Sequence, residues 1–311
     1  MLKTIVVLIA SCVWCISGLH KFMGFYTVND PLDLCGWANS YYSDNVASLV
    51  KGYTACGFRQ QLFFIEYLFI ELTPTGQAAL VKNWEQVLAS NTPLWRDLLR
   101  NGTIIGFFLG DELMWNGLPY QSLTEWSNAL RHAFPSAFLW ENEATPVYSC
   151  DPKLPPPTTC PRMYGPCCSY HQKPVLPTNG IPPALNVTSI DMYRWNPKSG
   201  PIVPMVQTYY DKYLKPRLHT HQRLFVVPGA DASTHNPSCT PSCYDTMCAS
   251  DAVAFKEWIE QDKTIVGAYP WSWESCGPGC IPDLDEIGCK HMNATKAAWA
   301  TSGRAIIKVP F

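Results

Sequence analysis

Short apolar runs, each too brief for an ordinary helix, alternate along this chain with stretches whose apolar residues recur at helical spacing. The runs cover residues 22–26, 61–66, 104–109, 138–141, 187–195, 223–228 and 264–269. Some are apolar throughout, as in Ile104-Ile105-Gly106-Phe107-Phe108-Leu109, which suits strands buried on both faces. Between them, Leu80, Trp84 and Leu88 share one face of a helix expected over 74–90, followed by a short helix over 94–99. Leu123, Trp126, Leu130 and Phe134 follow the capping box Ser122-x-x-Glu125. Further helices are expected through Val206, Tyr210 and Tyr213, from Ser250 with Phe255 and Trp258 inward, and over 294–302. Strands joined by helices lie parallel, because the helix carries the chain back to the starting edge. The pattern predicts an α/β fold, a (β/α)8 TIM-type barrel built by residues 19–311 as a single domain. One strand is not legible and is sought between Glu66 and Thr103, with 67–72 as the candidate. An open doubly wound sheet competes, but the chain lacks the glycine-rich dinucleotide fingerprint.

Residues 1–18 read as a secretory signal peptide: Lys3, an apolar run over 5–16, then small Ser17 and Gly18. The run is shorter than the roughly 20 residues that span a bilayer, so no membrane span is expected after cleavage. The expected location is extracellular or the lumen of the secretory pathway. Of the 14 cysteines, 12 lie beyond this segment, an even number that predicts up to six disulfides. Cys150, Cys160, Cys167 and Cys168 follow the 138–141 strand, Cys239, Cys243 and Cys248 the 223–228 strand, and Cys276 and Cys280 the last. Disulfide-rich loops are therefore expected at one end of the barrel. Cys239-x3-Cys243-x4-Cys248 is dense without the CxxC pairing of zinc sites, and no metal or cofactor is expected. Asn101, Asn186 and Asn293 begin glycosylation sequons. A net charge of −2, 15% charged residues and no basic run disfavour a nucleic-acid partner.

The buried run at 103–110 ends on two adjacent carboxylates, Asp111 and Glu112. In parallel α/β folds, ligands bind beyond the C-terminal strand ends. Glu141, Glu143, Asp191, Tyr193, Asp231, Trp271, Trp273 and Glu274 occupy matching positions after later runs. A carboxylate at the end of a buried strand is desolvated, at a cost, unless something pairs with it. Loop capping or an ion pair is the plainer role for Glu141, Glu143 and Asp231. Carboxylates, Tyr and Trp converging on one edge suit glycoside hydrolysis, which needs one carboxylic acid to protonate the leaving oxygen and a second group to stabilise or attack the oxocarbenium-like centre. His219-Thr-His221 precedes a strand, at the opposite end, and reads as a surface loop; His235 is better placed. No Gly-x-Ser-x-Gly elbow points to a serine hydrolase.

Gly110-Asp-Glu-Leu113, Ile190-Asp-Met-Tyr193 and Tyr269-Pro-Trp-Ser-Trp273 together resemble the glycoside-hydrolase (β/α)8 superfamily. In its large retaining clan the acid/base Glu ends the fourth strand, which Glu112 would match. An aromatic after the sixth strand matches Tyr193, and a Trp after the eighth matches Trp271 or Trp273. The clan's nucleophile, a Glu ending the seventh strand, has no counterpart in Val227-Pro-Gly-Ala-Asp231. Asp231 or Glu274 would have to substitute, or Glu143 on a different strand count. Hexosaminidase-type barrels instead carry adjacent Asp and Glu after the fourth strand. There the Glu is the acid, and the Asp orients the N-acetyl group of the substrate, which itself attacks. An inverting pair, roughly 6.5–9.5 Å apart, is a third option. The resemblance implies a secreted glycosidase acting on a carbohydrate or glycoconjugate. Glu112 would be the acid/base, Asp111, Asp191 or Asp231 its partner, and Tyr193, Trp271, Trp273, Glu143 and Glu274 substrate-binding. A barrel that binds glycans without hydrolysing them is the rival expectation.

Overall fold

A computed structural model describes residues 20–149, 180–193, 201–233, 239–274 and 286–310. Its framework is an eight-stranded sheet. The strands are β1 (Phe22–Met23), β2 (Tyr42–Ser43), β3 (Leu62–Phe64), β4 (Gly106–Asp111), β5 (Phe138–Ala144), β6 (Val187–Met192), β7 (Arg223–Pro228) and β8 (Ile265–Ala268). They pair in the order β1-β8-β7-β6-β5-β4-β3-β2, and every ladder is parallel. Helices α1 (Val46–Lys51), α2 (Trp84–Arg100), α3 (Tyr120–Ala133), α4 (Val203–Tyr209), α5 (Pro241–Gln261) and α6 (Asn293–Ile306) follow β2, β3, β4, β6, β7 and β8.

The sheet curls upon itself. Phe22 of β1 and Phe138 of β5 lie four places apart in strand order, about 19 Å in a flat sheet at the usual spacing. Their ring centroids are 5.0 Å apart. Phe22, Leu62, Phe108, Phe138, Trp140, Val187, Phe225, Val227 and Val266 meet on the inner face, with Tyr42 packed against them. Alternate residues (Met23, Phe63, Phe107, Leu109, Leu139, Leu224, Val226) point outward into the helix-packed core. The pleat has a period of two, so both sets of residues are buried and the strands read as continuous apolar runs. Between the edge strands, the Asn39 and Ser40 amides donate to the Met23 carbonyl, drawing the edges together.

Several sequence expectations shift. The strand missing from the sequence pattern is β2, and it precedes Glu66 rather than following it. It has two residues, Tyr42 and Ser43, too few to leave a periodic signal. Residues 67–72 do not join the main sheet: Glu66–Phe69 makes one helical turn, and Ile70–Leu72 pairs antiparallel with Ala78–Leu80. That hairpin occupies the start of the expected 74–90 helix. The remainder merges with 94–99 into α2, where burial of Leu88, Trp95 and Leu98 overrides the Pro93 inside the helix. Helix α3 opens at Tyr120, so Ser122 is not its cap, and Glu125 instead accepts from Gln121 Nε2. Helix α5 starts at Pro241, earlier than Ser250, because the Thr240 side chain caps the Cys243 N–H.

Disulfides join Cys35 to Cys56 and Cys239 to Cys243. Cys150, Cys160, Cys167, Cys168, Cys276, Cys280 and the expected signal peptide lie outside the described residues. Among the described residues no helix is long and apolar enough to cross a membrane. The Asn186 sequon is occupied structurally. Its buried Oδ1 accepts from the Leu139 N–H at 2.9 Å and from Arg131 Nη2 at 2.5 Å.

Candidate active site

The Asp111-Glu112 pair owes its placement to an irregularity in β4. Phe108 pairs with Trp140, and Asp111 pairs with Asn142, so three steps along β4 match two along β5. The extra residue reverses the pleat. Asp111 would otherwise point outward; it joins Asn142 on the inner face. Gly110 sits in the irregularity, where an added Cβ would come within 2.6 Å of Leu113 and 2.9 Å of Glu66 Oε2. Glu112 then has φ +52°, a left-handed conformation that costs a non-glycine residue about 1–2 kcal/mol. That turn brings a second consecutive carboxylate to the same cluster, which a regular strand would send to the opposite face.

Asn142 organises the acids. Its Nδ2 donates to Asp111 Oδ1 and to Asp191 Oδ1, each at 2.7 Å. Its orientation is set from below: Trp140 Nε1 donates to Ser189 Oγ at 2.8 Å, and Ser189 Oγ donates to Asn142 Oδ1 at 2.5 Å. With its oxygen committed, the amide must turn its N–H groups to the carboxylates. Asp191 is the penultimate residue of β6, and its side chain hydrogen-bonds those of Glu112 and Tyr193. Tyr26 donates to Asp111 Oδ1 at 3.4 Å. Trp271 packs near Tyr26 and Tyr193, with ring centroids 5.4 and 6.4 Å away.

Burial governs the electrostatics. It pushes Asp111 up to about 6, against the hydrogen bonds from Asn142 and Tyr26. Burial, then the charges of Asp111 and Glu143, push Glu112 up to about 8. Asp191 is held well above the usual carboxylate range by burial and by its two acidic neighbours. Glu66, which opens the helical turn two residues beyond β3, reaches about 7 through burial while accepting the Asp111 N–H at 2.9 Å. A protonated Glu112 beside a more acidic Asp111 is an arrangement suited to giving up a proton near neutral pH.

Of the residues singled out in the sequence, the structure brings together Asp111, Glu112, Asp191, Tyr193 and Trp271. Asp231 lies at the margin, its Oδ1 facing Gly229 next to Tyr193. Glu143 and Glu141 do not face the cluster: they follow the outward phase of β5, set by Leu139. Trp273 also lies elsewhere, packed against Phe25 and Trp37 in the outer core with its Nε1 donating to Asp33. Glu274 is paired with Lys290 at 3.1 Å. His221 Nε2 contacts the Pro183 carbonyl before β7, and His235 lies outside the described residues. Sequence reasoning passed over Asn142, Tyr26, Tyr42 and Glu66. Asn142 had a usable signal, since Trp140 faces inward and the residue two further on shares its face.

No protein-family model matches this chain, and no curated relative matches it in sequence. Solved structures do. A GH2 beta-galacturonidase from Eisenbergiella tayi bound to galacturonate superposes with a TM-score of 0.53 at 10% identity, covering 87% of this chain and 45% of that one. A beta-D-glucuronidase from Dictyoglomus thermophilum gives 0.50 at 11% identity, with 90% and 50% covered. Bacteroides uniformis beta-glucuronidase 2, covalently bound to cyclophellitol-6-carboxylate aziridine, gives 0.51 at 11%, with 93% and 35% covered. The chain spans half or less of the length of these enzymes. The class defined is thus an α/β protein with a curled parallel sheet, whose structural neighbours are glycoside hydrolases. At this identity the likeness is one of fold.

Proposed function

We propose that this chain is an exported glycoside hydrolase with a closed (β/α)8 barrel, in which Glu112 is the general acid/base. One observation carries the reading: the β4 irregularity and the left-handed Glu112 gather Asp111, Glu112 and Asp191 at the C-terminal sheet edge, with Glu112 raised to about 8. The Glu112 carboxyl gives its proton to the glycosidic oxygen as the bond to the anomeric carbon breaks. Asp111 faces the same cluster and is held by Asn142 and Tyr26, which favours the substrate-assisted version. In that version Asp111 orients a 2-acetamido group, whose carbonyl oxygen attacks the anomeric carbon. Water, deprotonated by the Glu112 carboxylate, then opens the cyclic intermediate. Tyr193 and Trp271 would line the sugar site. The Cys35–Cys56 and Cys239–Cys243 pairs support an oxidising compartment.

The test is release of reducing ends from a panel of labelled glycans with and without 2-acetamido groups. Turnover confined to acetamido sugars and abolished in Glu112→Gln is the expected result. Activity surviving that substitution would remove Glu112 from its role, and binding without turnover across the panel would favour the lectin-like alternative.

A further inference from the structure

Glu141 and Glu143 of β5 are fully buried acids that share a side-chain hydrogen bond and reach the cluster above only through charge, as that of Glu143 on Glu112. Glu141 accepts from Thr188 Oγ1 at 3.1 Å. Glu143 has a different occupation. Its Oε1 accepts the Met114 N–H at 2.6 Å, and its Oε2 accepts the Trp115 N–H at 3.1 Å. These amides belong to the second and third residues after Glu112.

The neighbouring residue of β5 grips the same turn from its other side. The Asn142 carbonyl accepts the Glu112 N–H at 2.8 Å, and the Glu112 carbonyl accepts the Asn116 N–H at 2.8 Å. The left-handed backbone at Glu112 is therefore pinned on entry by Asn142 and just beyond by Glu143. A glutamate has no intrinsic preference for φ +52°, so neighbours must hold it there. A carboxyl group that accepts two amides, one on each oxygen, sets direction as well as distance. Met114 and Leu113 are buried in the outer core, which seats the turn against β5.

We propose that Glu143 is a positioning residue: its carboxyl group fixes the turn that aims the Glu112 carboxyl at the leaving oxygen. This rests on the reading of Glu112 as the acid. Alternation along β5 gives adjacent residues separate duties. Asn142 reaches inward to the carboxylates, and Glu143 reaches outward to the backbone that carries one of them.

The test uses two glycosides of one sugar accepted by the wild-type protein. One carries a dinitrophenyl group, which departs without a proton; the other carries an alkyl group, which needs one. Glu143→Ala is expected to lower kcat/KM on the alkyl glycoside about 10²-fold, the scale of a misplaced catalytic group, with less than about fivefold loss of kcat/KM on the dinitrophenyl glycoside, since kcat/KM reports departure of the leaving group and not the later attack of water. Glu143→Gln, which keeps one acceptor oxygen, should fall between wild type and Ala and carries the test if the Ala variant does not fold. Glu141→Gln, equally buried and without the amide contacts, keeps a side-chain oxygen to accept from the Glu143 carboxyl and should retain the wild-type ratio between substrates. Equal losses on both substrates in the Glu143 variants, or the same skewed ratio in Glu141→Gln, would overturn the inference while leaving Glu112 as acid. A Glu112→Gln variant without the skew would overturn the acid assignment and the inference with it.

Discussion

Asp111 of β4 and Asn142 of β5 face each other as register partners, joined by a 2.7 Å hydrogen bond, only because β4 carries one residue more than its neighbour in the preceding steps. A regular ladder would have put Asp111 on the opposite face from Asn142. From that register follow the shared amide, the meeting with Asp191 and the raised carboxyls.

The first prediction concerns this amide. Its hydrogen bond lowers the Asp111 carboxyl against the effect of burial. Asn142→Ala removes the bond and leaves Asp111 and Asp191 without their common donor. The acid limb of the pH–rate profile should move upward from about 6, and kcat should drop about 10²-fold. An unmoved acid limb would show that Asp111 does not govern it.

In the wild type, turnover requires Glu112 protonated and Asp111 ionised. The rate should be bell-shaped, rising through about pH 6 as Asp111 loses its proton and falling through about pH 8 as Glu112 loses its own. In a Glu112→Asp variant that keeps activity, the alkaline limb should shift while the acid limb stays. Profiles of kcat/KM against pH measure both.

Stability should carry the same signature. Asp111, Glu66 and Glu112 are raised from 3.8, 4.5 and 4.5 to about 6, 7 and 8 in the folded chain. For groups raised on folding, the protonated form is favoured in the native state. Their contribution is fully present below the unfolded pKa values and is lost as pH rises through the folded ones. The Tm of the wild type should therefore decline between about pH 4 and 8. Glu112→Gln, which cannot ionise, should flatten the upper part of that decline in thermal melts. A slope identical to that of the wild type would remove Glu112 from the account.

Two glycines in β4 should respond differently to alanine. At Gly106 an added Cβ would stand 1.8 Å from the Phe138 carbonyl oxygen, backbone of β5 that cannot yield without opening the sheet. Gly106→Ala is expected not to fold. At Gly110 the nearest atoms belong to the Leu113 and Glu66 side chains, which can move. Gly110→Ala should fold with a loss of about 1–3 kcal/mol in chemical denaturation. It should also lose activity, since Glu66 supports the Asp111 N–H.

Much of the fold was legible because burial on both faces writes itself into consecutive residues. The runs at β4, β5 and β7 and the apolar faces of α2, α3 and α5 are of this kind. Strand β2 was not legible, since a two-residue strand has no period. Among site residues, Asp111 and Glu112 stood out as carboxylates closing a buried run. Asn142 did not, because the two acids flanking it drew the reading. Those acids point outward and Asn142 points inward, and only the phase of the pleat distinguishes them.

The sequence by itself determined the parallel order of strands and helices and the presence of acids and aromatics at one edge, since these depend on neighbours along the chain. The tertiary structure decided which acids meet. Asp111 and Asn142 are 31 residues apart, and their register was set by how β4 and β5 pack, with the extra residue of β4 seated where Gly110 meets Leu113 and Glu66. The same packing separated Trp271, in the cluster, from Trp273, two positions on and buried in the other core. Such choices belong to contacts between distant segments, whose energies appear only once the sheet has curled.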